Sequence, residues 1–176
     1  MVRHVVLGVT LAAVLPFAAH TNPQAAQQQE MAGFKSFQEE ANRVTPALNC
    51  QRPKTNGAMA GFGALYGCVQ GRAETAKFFI NEISGRPGVV QNVKVMWNEW
   101  TRNAGDGLAA DRTEALQMAT VAGELYAPKL KARIIETFMG KRNTAFTDGP
   151  FRFEYRYSEG PAIGEHLLTI TARQRL

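Results

Sequence analysis

The sequence predicts an α+β fold: an antiparallel sheet with a kinked or paired helix segment, about 111–139, packed on one face, plus an N-terminal helix. Three observations predict it. Apolar and polar residues alternate along 90–100 and again along 151–157 and 166–172, the period of half-buried strands. Apolar residues recur every three or four positions along 28–44 and 111–139, the period of a helix. The order of these segments is helix, strands, helices, strands, with no internal repeat.

The chain opens with Arg3 and His4, has no acidic residue before Glu30, and runs uncharged from Val5 to Ala19. A positive start followed by a short apolar run broken by Pro16 is the pattern of a secretory signal peptide, expected over 1–21. The run is shorter than the ~20 apolar residues a spanning helix needs. Residues 22–29, NPQAAQQQ, read as a flexible tether, and 30–176 as a single globular α+β domain. No transmembrane segment is expected after cleavage. Export is expected to end in the periplasm or outside the cell.

Along the domain, Met31, Phe34, Phe37, Ala41 and Val44 share one helix face, with Glu39, Glu40 and Arg43 off it and Pro46 just past the end. Cys50 and Cys68 are the only cysteines, so an exported chain is expected to join them. The bond would close a glycine-rich loop, 51–63, and stabilise by about 3 kcal/mol. Strands are expected at 64–70, 75–84 and 90–100; Ala76, Phe79, Ile80 and Ile83 would also fit a helix face, but the turn Ser84-Gly85-Arg86-Pro87-Gly88 between two β-prone runs favours a hairpin. Residues 101–110 read as a loop. Asp111 with Glu114 three positions on reads as a capping box opening a helix. Pro128 should break that helix near Tyr126-Ala127-Pro128, and Gly140 should end its second half. Phe151, Phe153, Tyr155 and Tyr157 alternate with charged residues. After the turn at Ser158–Pro161, His166, Leu168, Ile170 and Ala172 alternate with Leu167, Thr169 and Thr171, an antiparallel hairpin.

Chemistry-bearing patterns are sparse. His4 and His20 fall in the leader, which leaves His166 as the domain's one histidine. That excludes a multi-histidine metal site, and no metal or other cofactor is expected. No serine lies in a G-x-S-x-G elbow, and no glycine-rich phosphate loop occurs. His166 reads as a core histidine. Glu99, Asp106, Asp111, Glu154, Glu159 and Glu165 could pair as hydrolytic carboxylates, but any domain carries as many. Trp97 reads as core. Trp100, at a strand end beside the 101–110 loop, is a candidate binding residue for a peptide or sugar. Arg152 and Arg156 share a strand face with Glu154 between them. With Arg142, Arg173 and Arg175 they form a candidate basic patch for an acidic partner. No catalytic residue is assigned.

The formal net charge is +5 and becomes about +4 without Arg3, too mild to call for nucleic acid. The resulting expectation is a small exported binding or accessory protein of the cell envelope without catalysis. Its partner would be an envelope protein or an acidic envelope polymer. The rivals are a carboxylate-dependent hydrolase of an envelope polymer and a structural subunit of an envelope assembly.

Overall fold

A computed structural model describes residues 33–71, 74–100 and 107–173, without the side chains of 107–110. The expected signal peptide and tether, together with Met31, Asp106 and Arg175, lie outside the described residues. The first helix, α1, is Phe37–Ala47. Strands β1 (Lys54–Asn56), β2 (Leu65–Gln70), β3 (Ala76–Glu82) and β4 (Val90–Trp100) follow. Helix α2 (Gly107–Tyr126), a short 3₁₀ turn at Pro128–Leu130 and helix α3 (Lys131–Met139) come next. The chain ends in β5 (Thr144–Asp148), β6 (Phe151–Glu159) and β7 (Ile163–Ala172).

The seven strands form one antiparallel sheet in the order β1-β2-β3-β4-β7-β6-β5. The chain winds outward-to-inward twice, so β4 and β7 meet at the centre. The α+β architecture read from the sequence is the observed one. The hairpins β3–β4 and β6–β7 sit where the Gly-Pro-rich turns put them.

Sheet register sorts the side chains into two sets. One face carries the rows Tyr66–Ile80–Val93–Ile170–Phe153 and Cys68–Phe78–Val95–Leu168–Tyr155. These residues are buried in one core with Phe37, Ala41 and Val44 of α1, Ala115, Met118 and Ala122 of α2, and Ile134 and Phe138 of α3. All three helices therefore cover the same face. Burying the larger apolar side chains stabilises by roughly 1.5–3 kcal/mol each, which pins the register: a one-residue slip would turn each row outward.

Several expectations are corrected. Helix α1 starts at Phe37, not near residue 28. Gly33 has φ +69°, and Ser36 caps the helix: its hydroxyl accepts from Glu39 N while the Glu39 carboxylate accepts from Ser36 N. Pro46 lies inside the last turn instead of past it, where its missing N–H leaves one carbonyl without a helical partner. Glu40, expected off the core face, is fully buried.

Asp111 is no cap. Helix α2 begins at Gly107, and the buried Asp111 carboxylate accepts from Thr75 N at 3.1 Å and Thr75 Oγ1. The break at Pro128 occurs where expected. The helices re-approach so closely that a Cβ at Gly123 would stand 3.1 Å from the Lys131 backbone. Gly140 is the last helical cap as expected, but the left-handed turn is taken by Lys141, φ +50°. Strands β1 and β5 have no counterpart in the sequence reading.

Candidate binding face

Among the described residues, the second set of sheet side chains packs against no helix. Outward from β1 to β4 these are Lys54 and Asn56, then Leu65, Gly67 and Val69, then Lys77, Phe79 and Asn81, then Asn92, Lys94, Met96, Asn98 and Trp100. No acidic residue occurs at any of these positions. The register sets Val69, Lys77, Met96, Leu167 and Arg156 in one row, and Lys54, Gly67, Phe79, Lys94, Thr169 and Glu154 in the next. Lys94 thus stands beside Phe79 and Lys77 beside Met96, on strands about 4.8 Å apart. Lys54, Lys77 and Lys94 close no ion pair among the described residues. Asn81 Nδ2 donates to Asn92 Oδ1 at 2.8 Å, which ties the third row together.

The sequence-predicted candidates fall on this same uncovered face but apart from one another. Trp100 is 43% exposed and pairs with Ile163, four residues along β4 from Met96, about 13 Å. Arg152 and Arg156 project on the β6 side, and both reach Glu154, at 3.7 and 2.6 Å. The arginine hydrogen bonds and charges hold the Glu154 carboxyl below its ordinary range. This half of the face is therefore internally neutralised, while the β1–β4 half is not. Arg173 donates to Gly149 O and stays with the β5–β6 turn.

The inner face ends in a polar cluster. His166 is fully buried, its ring 4.7 Å from that of Trp97 and also beside Phe138, Tyr155 and Tyr157. Its Nδ1 lies 2.9 Å from both Tyr155 Oη and Phe138 O, and its Nε2 3.3 Å from Glu99 Oε2. With the proton on Nε2, the ring donates to Glu99 and accepts from Tyr155. Lys141 Nζ closes the array on Glu99 and sits over the Tyr157 ring. Burial raises the Glu99 carboxyl, but the hydrogen bonds from Lys141 and His166 outweigh it and leave it below the ordinary value. The hydrogen bond to Glu99 raises Lys141. Burial pushes the Tyr155 phenol up to about 12. No serine or thiol stands within this array among the described residues. It holds β4, β7, β6 and α3 together.

The signs set a pH window. Glu99, lowered in the fold, contributes stability above its unfolded pKa near 4.3 and loses it as pH falls through the folded value. Lys141, raised, contributes below its unfolded pKa and loses it as pH rises through the folded value. Glu99→Gln is thus expected to cost about 1 kcal/mol at pH 7, a small figure because Lys141 is half exposed, and nearly nothing at pH 3. Urea midpoints of the two proteins at both pH values check this; an equal gap at pH 3 would refute it.

The chain matches no known family model, no curated protein and no solved structure. The face must therefore be read from its own chemistry. The other carboxylates weighed for hydrolysis are dispersed: Asp111 is tied to Thr75, Glu154 to two arginines, and Glu165 faces outward across from Asn98. Among the described residues, no three His, Cys, Asp or Glu side chains gather as a metal site. Sequence reasoning missed Lys77 and Lys94. The signal was present in the alternation, but their lack of counter-charges on three neighbouring strands is visible only in the register.

Proposed function

We propose that this chain is a small exported binding protein of the cell envelope, without catalysis, which holds an acidic ligand on the uncovered β1–β4 half of its sheet. The observation that carries the reading is the combination on that half-face: Lys54, Lys77 and Lys94, which close no ion pair among the described residues, stand among Phe79 and Met96, with no carboxylate at any outward position of β1 to β4. A sheet face that served only as a wet surface would be expected to mix both signs, as the β6 side does with Arg152, Glu154 and Arg156. Export is supported by the charge and apolar pattern of residues 3–19 and by the Cys50–Cys68 disulfide, a bond kept in oxidising compartments. No described helix is long and apolar enough to cross a membrane.

Polyglutamate binding at low salt tests the ligand class. Lys77→Glu with Lys94→Glu is expected to weaken it at least tenfold, while Arg112→Glu with Lys129→Glu, on the helical side, changes it less than twofold. Equal losses from the two pairs would mean that overall charge alone is being read, and would overturn the assignment to this face. The export arm is checked by intact mass from the host's exported fraction: a chain shortened by about 21 residues is expected, and a full-length chain there overturns it.

A further inference from the structure

At the β1 edge of this face lies a groove of about 220 Å³, lined by Arg52, Lys54, Asn56, Leu65, Gly67, Val69, Glu74 and Phe79. Its form follows from one residue. Gly67 is the central outward position of β2, and it places no side chain between Lys54 on one side and Phe79 on the other. A Cβ there would stand 3.3 Å from the Phe79 ring, so any larger residue would fill the trough. Leu65 and Val69 stand two residues to either side of Gly67 and line the ends of an apolar floor. Arg52 and Lys54, both exposed and without an ion pair among the described residues, stand on the β1 wall with the amide of Asn56. The lining thus holds two cations against the single carboxylate of Glu74, and the register sets Lys77 next to Val69 and Lys94 next to Phe79, beyond the lining.

We infer that this groove binds a small amphipathic anion, a carboxylate carrying a short alkyl chain or one ring. The apolar part lies on Gly67 and Phe79, and the carboxylate takes the Arg52 guanidinium and Lys54 ammonium. The size agrees: a cavity of roughly 150 Å³ admits benzene, which leaves room here for a ring or short chain and its acid group. A neighbouring hollow of about 310 Å³ shares Arg52, Val69 and Glu74. It adds a second acid, Glu114, and polar Gln70 and Gln117, so it lacks both the apolar floor and the charge balance an amphipathic anion needs. The inference rests on the acidic-ligand reading of the face and names the ligand class at one end of it.

Titrating the ¹⁵N-labelled full-length domain with octanoate tests it. Amide shifts are expected at Leu65, Gly67, Val69 and Phe79, saturating in the millimolar range, as about 0.3 kcal/mol per heavy atom implies. Octanol, which lacks the charge, and acetate, which lacks the chain, should each bind about tenfold more weakly. Arg52→Gln with Lys54→Gln, at two exposed positions, is expected to weaken octanoate about tenfold. Gly67→Val should abolish binding, its unfolding curve reporting whether the fold is kept. Equal shifts from octanol and octanoate, shifts on the helices instead of the groove, or an unchanged affinity in the Arg52/Lys54 variant would each overturn the inference. That failure is distinct from failure of the face: Lys77→Glu with Lys94→Glu would then still weaken polyglutamate.

Discussion

Glu40→Ala is expected to destabilise the fold by about 3–5 kcal/mol, the cost of removing one partner from a buried charged network. Glu40 has no exposed surface, yet it sits at the fourth position of α1, on the face of the buried Phe37, Ala41 and Val44. Its carboxylate accepts from Tyr126 Oη at 2.9 Å, from Lys35 N at 2.8 Å and from Arg43 Nη1 at 3.0 Å. Arg43 also reaches Leu125 O and lies over the Tyr126 ring. One acid therefore ties the N-terminal helix to the end of α2. Burial, and then the negative charge of Glu40, drive the Tyr126 phenol well above its ordinary range, so its proton remains available to donate. Alanine would orphan a buried hydroxyl and a backbone N–H together. Tyr126→Phe should cost only about 1–2 kcal/mol, because it removes the donor whole and leaves Glu40 two others. The double variant should be less destabilised than the sum of the two, by at least about 0.5 kcal/mol. Urea unfolding of the four proteins gives the cycle. A Glu40→Ala loss below about 1 kcal/mol would show that the carboxylate is not buried as described.

The same residue explains what the sequence discloses and what it conceals. Glu40 lies three positions after Phe37 and four before Val44, so helical spacing alone puts it on the core face. Asp111 stands four before Ala115 and seven before Met118, with the same implication. Yet Glu40 reads locally as a charge off the core face and Asp111 as a helix cap, because a carboxylate enters a core only when partners distant in sequence meet it: Tyr126 is 86 residues from Glu40, and Thr75 is 36 from Asp111. Strands β4, β6 and β7 were legible because a sheet covered on one face writes its two environments as alternation. Strand β1 is three exposed residues inside the disulfide loop, and it exists through its pairing with β2, so nothing local announces it. The candidate face was half legible. Trp100, Arg152 and Arg156 are on it, but alternation looks the same whether a wet face is solvated or binds. What separates the two readings is which charges end up opposite each other, and that depends on the register of strands far apart in the chain.

Removing the Cys50–Cys68 bond is expected to cost about 3 kcal/mol and to weaken octanoate binding more than tenfold, for connected reasons. The sulfurs are 2.02 Å apart and join the residues just after α1 to the middle of β2, 18 positions on. Between them, every residue from Gln51 to Phe62 is exposed. Held in place by three residues of ladder and the Met59–Phe62 turn, with both large apolar side chains 70% exposed, this segment has little burial to order it. Closing the loop covalently lowers the entropy of the unfolded chain and supplies the ordering that contacts do not. Arg52 and Lys54 lie on that segment, so the wall of the groove depends on the bond while its floor, Leu65, Gly67, Val69 and Phe79, belongs to β2 and β3. Cys50→Ser with Cys68→Ser should therefore lower the urea midpoint, and at a urea-free condition where the sheet remains folded it should still lose octanoate. Lys77 and Lys94 sit on β3 and β4, so polyglutamate binding should fall far less. If octanoate affinity survives in the folded double serine variant, the segment is ordered without the disulfide and the groove wall does not need it. If both ligands are lost together while the amide spectrum stays native, the two binding surfaces are one.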